Sequence, residues 1–197
     1  MMGPERVILG FGDSLMAGYG VAEYQGYPEV LERALRGRGV NARVIDAGVS
    51  GDTTAAGSQR IAFVLDNAQA DIDLAIIELG GNDLLRGIDV AQTRANLAAI
   101  IEEVRSRDIP VLLMGMRAPP NLGAGYLQQF DGIYQDLADE YDVALVPFFM
   151  EPVFNQPNLM QDDGIHPTAE GLQAMVAATV DEVEAALPQT SATGAGS

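Results

Sequence analysis

Five short apolar segments recur along the chain, and longer segments with helical spacing separate them. Runs that are nearly continuous in valine, isoleucine and leucine are typical of strands buried on both faces of a sheet. The candidate strands are residues 6–11, 42–47, 73–79, 110–116 and 143–148. Glycine stops, threonine caps and helical periodicity predict helices at residues 27–39, 53–68, 89–108, 127–141 and 168–187.

Alternating strands and helices predict an α/β protein with three layers, in which helices cover both faces of a five-stranded parallel sheet. No internal repeat or linker divides the chain, so we expect a single domain over residues 1–187. The last residues, 188–197, are small, polar and uncharged, which predicts a disordered tail.

Composition narrows the classes of partner. The formal net charge is −17, which argues against nucleic-acid binding and against electrostatic docking on anionic lipid. The absence of cysteine excludes disulfides and a cysteine nucleophile. No apolar segment reaches the length of a membrane span and no signal-peptide pattern is visible, so we expect a cytoplasmic protein, or a periplasmic or secreted one if a signal peptide was removed. The oligomeric state stays open.

Ligands of open parallel sheets bind beyond the carboxyl ends of the strands, so the loops that follow the strands are the places to search. The first loop contains Ser14 within the letters GFGDSL. We expect Gly10 and Gly12 to let the backbone turn and leave room for a substrate carbonyl, and Ser14 to open a helical segment with its own N–H free. Taken alone, Ser14 is a helix cap, a phosphate contact or a nucleophile.

The second and third loops offer hydrogen-bond donors. The N–H of Gly51 can point into the crevice as an oxyanion donor, while Ser50 beside it is a competing nucleophile. In the letters ELGGNDLLRG, Asn82 carries an amide that donates without adding charge, although Asn82 or Asp83 could equally form an Asx turn.

His166 is the only histidine of the chain, which excludes a metal site built from several histidines. Asp163 lies three residues earlier, so a tight turn would bring its carboxylate to Nδ1 and leave Nε2 facing the crevice. Pro167 fits the first turn of the last helix. A structural histidine in a solvated turn is the alternative. No G-x-S-x-G elbow occurs in the chain, so the pattern differs from that of ordinary α/β-hydrolases.

The blocks GDSL, GVSGDTT, GGND and DGIHP, in this order, resemble the four blocks of the SGNH or GDSL hydrolases. The letters between them resemble the bacterial subgroup of multifunctional acyl-CoA thioesterases, arylesterases and lysophospholipases. The resemblance extends to about Leu187 and implies a flavodoxin-like SGNH hydrolase fold. It also implies a serine esterase or thioesterase that cleaves short to medium acyl or aryl esters, acyl-CoA thioesters and lysophospholipids, and that needs no metal and no cofactor.

Position by position, the resemblance implies that Ser14 is the nucleophile, His166 the general base and acid, and Asp163 the residue that orients it. The oxyanion hole would comprise Ser14, Gly51 and Asn82, with Asp13 fixing the loop. A mobile loop after GGND would cover the acyl chain, and Leu84 stands where a glycine is common in the subgroup. The implied substrate-contacting residues are Asp83, Leu84, Leu85, Arg86, Gly87 and Ile165.

Two alternatives remain at this point. The same catalytic set would serve a carbohydrate O-acetylesterase, and the sheet would also suit a non-catalytic lipid- or nucleotide-binding flavodoxin-like module. The apolar neighbours Met114, Met116, Phe148, Phe149 and Met150 favour acyl chains if they line a groove, but ordinary core packing is the better explanation for most of them.

Overall fold

The computed structural model describes residues 3–189, which form a five-stranded parallel sheet between two layers of helices. This confirms the predicted α/β class, and each strand overlaps its predicted segment. The strands are β1 (Arg6–Gly12), β2 (Ala42–Gly48), β3 (Leu74–Glu78), β4 (Val111–Met114) and β5 (Ala144–Val146). Of the tail expected at 188–197, only the first two residues are described, so that prediction lies mostly outside the described residues.

The helices include the five that the periodicity predicts and one more. They are α1 (Tyr27–Gly37), α2 (Thr54–Asn67), α3 (Gly81–Leu85), α4 (Val90–Arg105), α5 (Ala124–Tyr141) and α6 (Ala169–Ala186), with 3-10 turns at residues 23–25, 120–122 and 157–159. Contacts group α1 with α6, and α2 with α4 and α5. The additional helix, α3, begins within a pair of glycines, which is why its sequence is typical of a loop. Within residues 3–189, no helix combines the length and apolar character that crossing a membrane requires.

Side-chain caps fix the start of two helices that adjoin the site. Thr53 accepts a hydrogen bond from the N–H of Ala56 at the start of α2, and Thr168 accepts one from the N–H of Gly171 at the start of α6. Pro167 therefore precedes the cap of α6 and does not occupy its first turn, contrary to the prediction.

The strand order is β2-β1-β3-β4-β5, so the chain moves outward from β1 in one direction and then from β3 in the other. The loops after β1 and β3 separate at this topological switch point and leave a crevice at the carboxyl edge of the sheet. The ends of the three relevant strands are in register, because Gly12 pairs with Gly48 of β2 and with Glu78 of β3. Ser14, Gly51 and Asn82 all follow this row.

Candidate active site

Three side chains from distant parts of the chain form one hydrogen-bonded series at this edge. The Ser14 hydroxyl lies 2.8 Å from Nε2 of His166, and Nδ1 of His166 lies 2.6 Å from Oδ2 of Asp163. A carboxylate only accepts hydrogen bonds, so Nδ1 carries the proton and Nε2 is left to accept from the hydroxyl of Ser14. This is the geometry that a serine nucleophile and its base require.

The turn that carries Asp163 and His166 is organised by Asp163 itself. Its Oδ1 accepts the backbone N–H groups of Ile165 at 2.9 Å and His166 at 3.0 Å. The hydrogen bond from the His166 side chain, with these two backbone bonds, lowers the pKa of Asp163 to about 2. The carboxylate is therefore ionised throughout the neutral range and holds the imidazole in one tautomer.

The segment after β1 differs from the predicted helix. Residues 14–20 form a turn, in which the N–H of Ala17 bonds to the carbonyl of Asp13 and that of Tyr19 to the carbonyl of Ser14. Asp13, not Ser14, supplies the side-chain cap, because its Oδ1 accepts the N–H of Leu15 at 3.0 Å. The Ser14 side chain is consequently free to face His166.

The role expected for Gly10 and Gly12 is wrong. Both lie within β1, and a Cβ at Gly10 would meet Sδ of Met16 at 2.9 Å. A Cβ at Gly12 would meet the Glu78 carboxyl at 2.6 Å. These glycines make room for buried side chains of the protein and not for a substrate carbonyl.

Both backbone donors expected for the oxyanion hole are free within the described residues, although Gly51, unlike Ser14, does not line the cavity. The N–H groups of Ser14 and Gly51 donate no hydrogen bond to any group within residues 3–189. Gly51 has a φ of 87°, a left-handed conformation that favours glycine, and its carbonyl accepts a 2.7 Å bond from Arg86. Ser50 is exposed, and within the described chain His166 bonds to Ser14 and not to Ser50.

The amide of Asn82 connects all three loops of the switch point. Its Nδ2 donates to Oδ2 of Asp13 at 3.0 Å and to the carbonyl of Asp52 at 2.9 Å. Both hydrogens of the amide are therefore engaged, so an oxyanion would have to share one of them in a three-centre bond. Asn82 lines the cavity beside Ser14 all the same.

The residues expected to contact substrate fall into two groups. Leu84, Leu85 and Ile165 line the cavity next to Ser14. Asp83 does not, which corrects that prediction: it is fully buried and accepts the N–H and hydroxyl of Thr54.

Arg86 and Gly87 also lie outside the cavity lining, and the guanidinium of Arg86 reaches the Gly51 carbonyl instead. Leu84 and Leu85 belong to α3, so the first part of the expected loop is helical.

The cavity beside Ser14 has a volume of about 600 Å³ and a mostly apolar lining. Met116, Phe148 and Met150 contribute to it, as expected for an acyl groove, whereas Met114 and Phe149 are fully buried in the core. Three of the five apolar side chains therefore line the cavity, as an acyl groove requires, and the other two belong to the core.

Sequence reasoning missed two residues that hold His166 in place. Gln161 donates from Nε2 to the carbonyls of Tyr19 and Pro167, both at 2.8 Å, and thereby ties the Ser14 turn to the His166 loop. The ring of Tyr19 lies with its centroid 4.5 Å from that of His166. Gly20 makes room for this contact, because a Cβ there would meet the Gln161 amide at 2.2 Å, but a lone glycine in the sequence does not indicate so distant a partner.

Sheet order, switch-point site and Ser–His–Asp series together define a hydrolase of the SGNH type. The family model described as "GDSL-like Lipase/Acylhydrolase family" matches residues 11–174. The chain belongs to this family and is a carboxylic ester hydrolase.

Similar proteins carry ester-hydrolase names. The chain is 41% identical to an arylesterase of Vibrio mimicus over 163 residues, 83% of this chain and 80% of that protein. It is 40% identical to "Thioesterase 1/protease 1/lysophospholipase L1" of Escherichia coli (strain K12) over 163 residues, 83% of this chain and 76% of that protein. The crystal structure of AlinE4, an SGNH-hydrolase family esterase, is 60% identical with a TM-score of 0.81, covering 96% of this chain and all of the other.

Proposed function

We propose that the protein is a serine esterase and thioesterase that works through an acyl-enzyme on Ser14. The observation that carries the proposal is the continuous series from the Ser14 hydroxyl through His166 to Asp163. His166 takes the hydroxyl proton as Oγ attacks the ester carbonyl, and the N–H groups of Ser14 and Gly51, with Asn82, receive the developing oxyanion.

The second half of the cycle uses the same groups. Collapse of the tetrahedral intermediate breaks the bond to the alcohol or thiol, and His166 returns the proton to the leaving group as needed. Water then attacks the acyl-enzyme while His166 accepts a proton from it. The acid leaves when Oγ of Ser14 is expelled and reprotonated. Asp163 remains ionised throughout and stabilises the imidazolium that forms in each half.

The cavity supports acyl or aryl substrates over acetylated carbohydrate. Its lining near Ser14 is mostly apolar, and two of its charged groups also contact the protein itself. Asp131 accepts the N–H of Ala118, while the guanidinium of Arg117 lies 5.1 Å from the centroid of the Phe148 ring. Such a surface is best suited to bind an apolar chain of short to medium length.

An acyl chain-length series tests this function. We expect kcat/KM on p-nitrophenyl esters to rise from acetate to medium chains, and acyl-CoA thioesters to follow the same order, with Ser14→Ala as the blank. Acetylated xylan should be a poor substrate. A preference for acetylated xylan over every acyl chain would replace the proposed substrate class with carbohydrate O-acetyl esters.

A further inference from the structure

A second carboxyl lies behind the nucleophile and takes no part in the series described above. Glu78 is the last residue of β3 and is fully buried. Its Oε2 accepts the N–H of Asp13 at 3.2 Å, so it contacts the backbone immediately before Ser14. Gly12 provides the space for this carboxyl, because a Cβ there would lie 2.6 Å from Oε2.

The hydrogen-bond partners of the two neighbouring carboxyls indicate where a proton resides. Asp13 accepts two donors, the N–H of Leu15 and Nδ2 of Asn82, which favour its ionised form. Oε1 of Glu78 is buried, and no hydrogen-bond partner for it occurs within residues 3–189. The carboxyls adjoin each other at the N–H of Asp13, and the interaction between them lowers the pKa of Asp13 and raises that of Glu78, which is the effect of one shared proton. An otherwise unpartnered oxygen is the natural position for that proton, so Glu78 donates to Asp13.

The surroundings of Glu78 oppose its ionisation. Burial, followed by the charge of Asp13, raises the pKa of Glu78 well above its usual value, and the backbone N–H groups of Asp13 and Met16 offset this only in part. Burial also raises the pKa of Asp13, but the bonds from Leu15, Glu78 and Asn82 and the charge of His166 act in the opposite direction. Two tyrosines also face the pair from other elements, Tyr27 of α1 and Tyr134 of α5, and because burial raises their pKa values, neither supplies charge.

The Arg60 guanidinium, which reaches the same strand end from α2, does not neutralise this pair. It donates to Oδ2 of Asp52 and to the carbonyl of Gly12. Asp13 is therefore held by neutral donors, of which Glu78 is one and Asn82 is another.

We propose that Glu78 is a positioning residue of the oxyanion hole, whose protonated carboxyl donates to Asp13 so that Asp13 in turn fixes the amide of Asn82. The proposal rests on the oxyanion role that the proposed function gives to Asn82. Loss of the donor at Glu78 would free Asp13 to turn and would release Nδ2 of Asn82 from its 3.0 Å bond. Misplacement of a catalytic group by ~1 Å can reduce a rate by as much as ~100-fold.

Two substitutions of similar size separate the donor from the volume of the side chain. Glu78→Gln keeps a donor for Asp13 and an acceptor for its N–H, so it should retain most of kcat. Glu78→Met removes both and should lower kcat at least about tenfold with KM little changed, as expected for a disturbed oxyanion hole. Equal kcat in the wild type and Glu78→Met, or equal losses in the Met and Gln variants, would overturn the proposal.

A double-mutant cycle with Asn82→Ala tests whether Glu78 acts through Asn82. We expect Glu78→Met to cost little further kcat once Asn82 is absent, because coupled residues are not additive. Additive losses would refute the positioning role and leave the proposed function intact. Wild-type kcat in Asn82→Ala alone would instead refute the oxyanion role on which both proposals depend.

Thermal unfolding decides the case if Glu78→Met does not fold. A buried acid whose pKa is raised contributes stability below its unfolded pKa, and that contribution is lost as the pH rises. The Tm of Glu78→Gln minus that of the wild type should therefore increase from pH 4.5 to pH 8, about the range above the unfolded pKa of Glu. Parallel Tm curves would mean that Glu78 is not the protonated partner.

Discussion

Two acidic groups flank the Ser14 loop, and the structure gives them opposite protonation states. Asp163 is partly exposed and accepts three hydrogen bonds from its own turn, which lower its pKa to about 2. Glu78 is fully buried beside the carboxyl of Asp13, and its pKa is raised well above the usual value. Hydrogen-bond donors favour the ionised form and burial opposes it, so the environment assigns one group to hold an imidazolium and the other to donate a proton.

Replacing each acid by its amide should therefore have unequal effects on activity. Asp163→Asn should lower kcat by about 10⁴-fold, because an amide can donate to Nδ1 and impose the wrong tautomer on His166. Glu78→Gln should retain most of kcat. Parallel kcat measurements on both folded variants check this contrast, and an Asp163→Asn enzyme with wild-type kcat would remove Asp163 from the proposed series.

The Asn82 amide lies between the two acid regions and should give the next largest effect. Asn82→Ala should reduce kcat by about 10²–10³-fold with a smaller change in KM, as for other oxyanion donors. The control is Asn96→Ala, which removes an amide that donates to Oγ1 of Thr54. A change in KM alone would make Asn82 a substrate contact and not a transition-state donor.

Substitution of Gln161 tests how much the His166 loop depends on the hydrogen bonds that join it to the Ser14 turn. Gln161→Ala removes two hydrogen bonds to backbone carbonyls and should cost about 1–3 kcal/mol in the free energy of unfolding, with a severalfold loss of kcat. Urea denaturation measures the first and steady-state kinetics the second. Gln156→Ala, at an exposed position of a nearby turn, is the matched control and should change neither.

The smallest effect concerns stability in acid. Because the pKa of Asp163 is lowered on folding, its contribution is present above the unfolded value and is lost as the pH falls toward 2. Asp163→Asn should remove part of the fall in Tm at low pH. Glu78→Gln should instead remove part of the fall in Tm as the pH rises above 4.5. Identical acid limbs in the wild type and Asp163→Asn would show that the pKa of Asp163 is not lowered.

The sequence predicted the parts of this molecule that depend on local patterns. The buried strands appear as apolar runs, and Asp163 lies close enough to His166 for a single turn to join them. Because the chain has a single histidine, His166 could be assigned as the candidate base without structural information. For these features the signal is contained within a few consecutive residues.

The features that the sequence could not predict depend on partners far along the chain. Asp83 follows Asn82 in a glycine loop, yet it is buried because Thr54 and Thr93 are brought to it by packing. Position 12 requires a glycine because the side chain of Glu78, 66 positions later, occupies the space that a Cβ would need. Hydrophobic periodicity and motif spacing, the signals that a single sequence provides, indicate neither of these contacts.

Covalent labelling of the nucleophile tests the central proposal most directly. The enzyme is treated with a fluorophosphonate, digested and analysed by mass spectrometry, with Ser14→Ala and Ser50→Ala treated in parallel. The adduct should be found on Ser14, should form equally in Ser50→Ala and should be absent in Ser14→Ala. An adduct on Ser50, or full labelling and turnover in Ser14→Ala, would contradict the account.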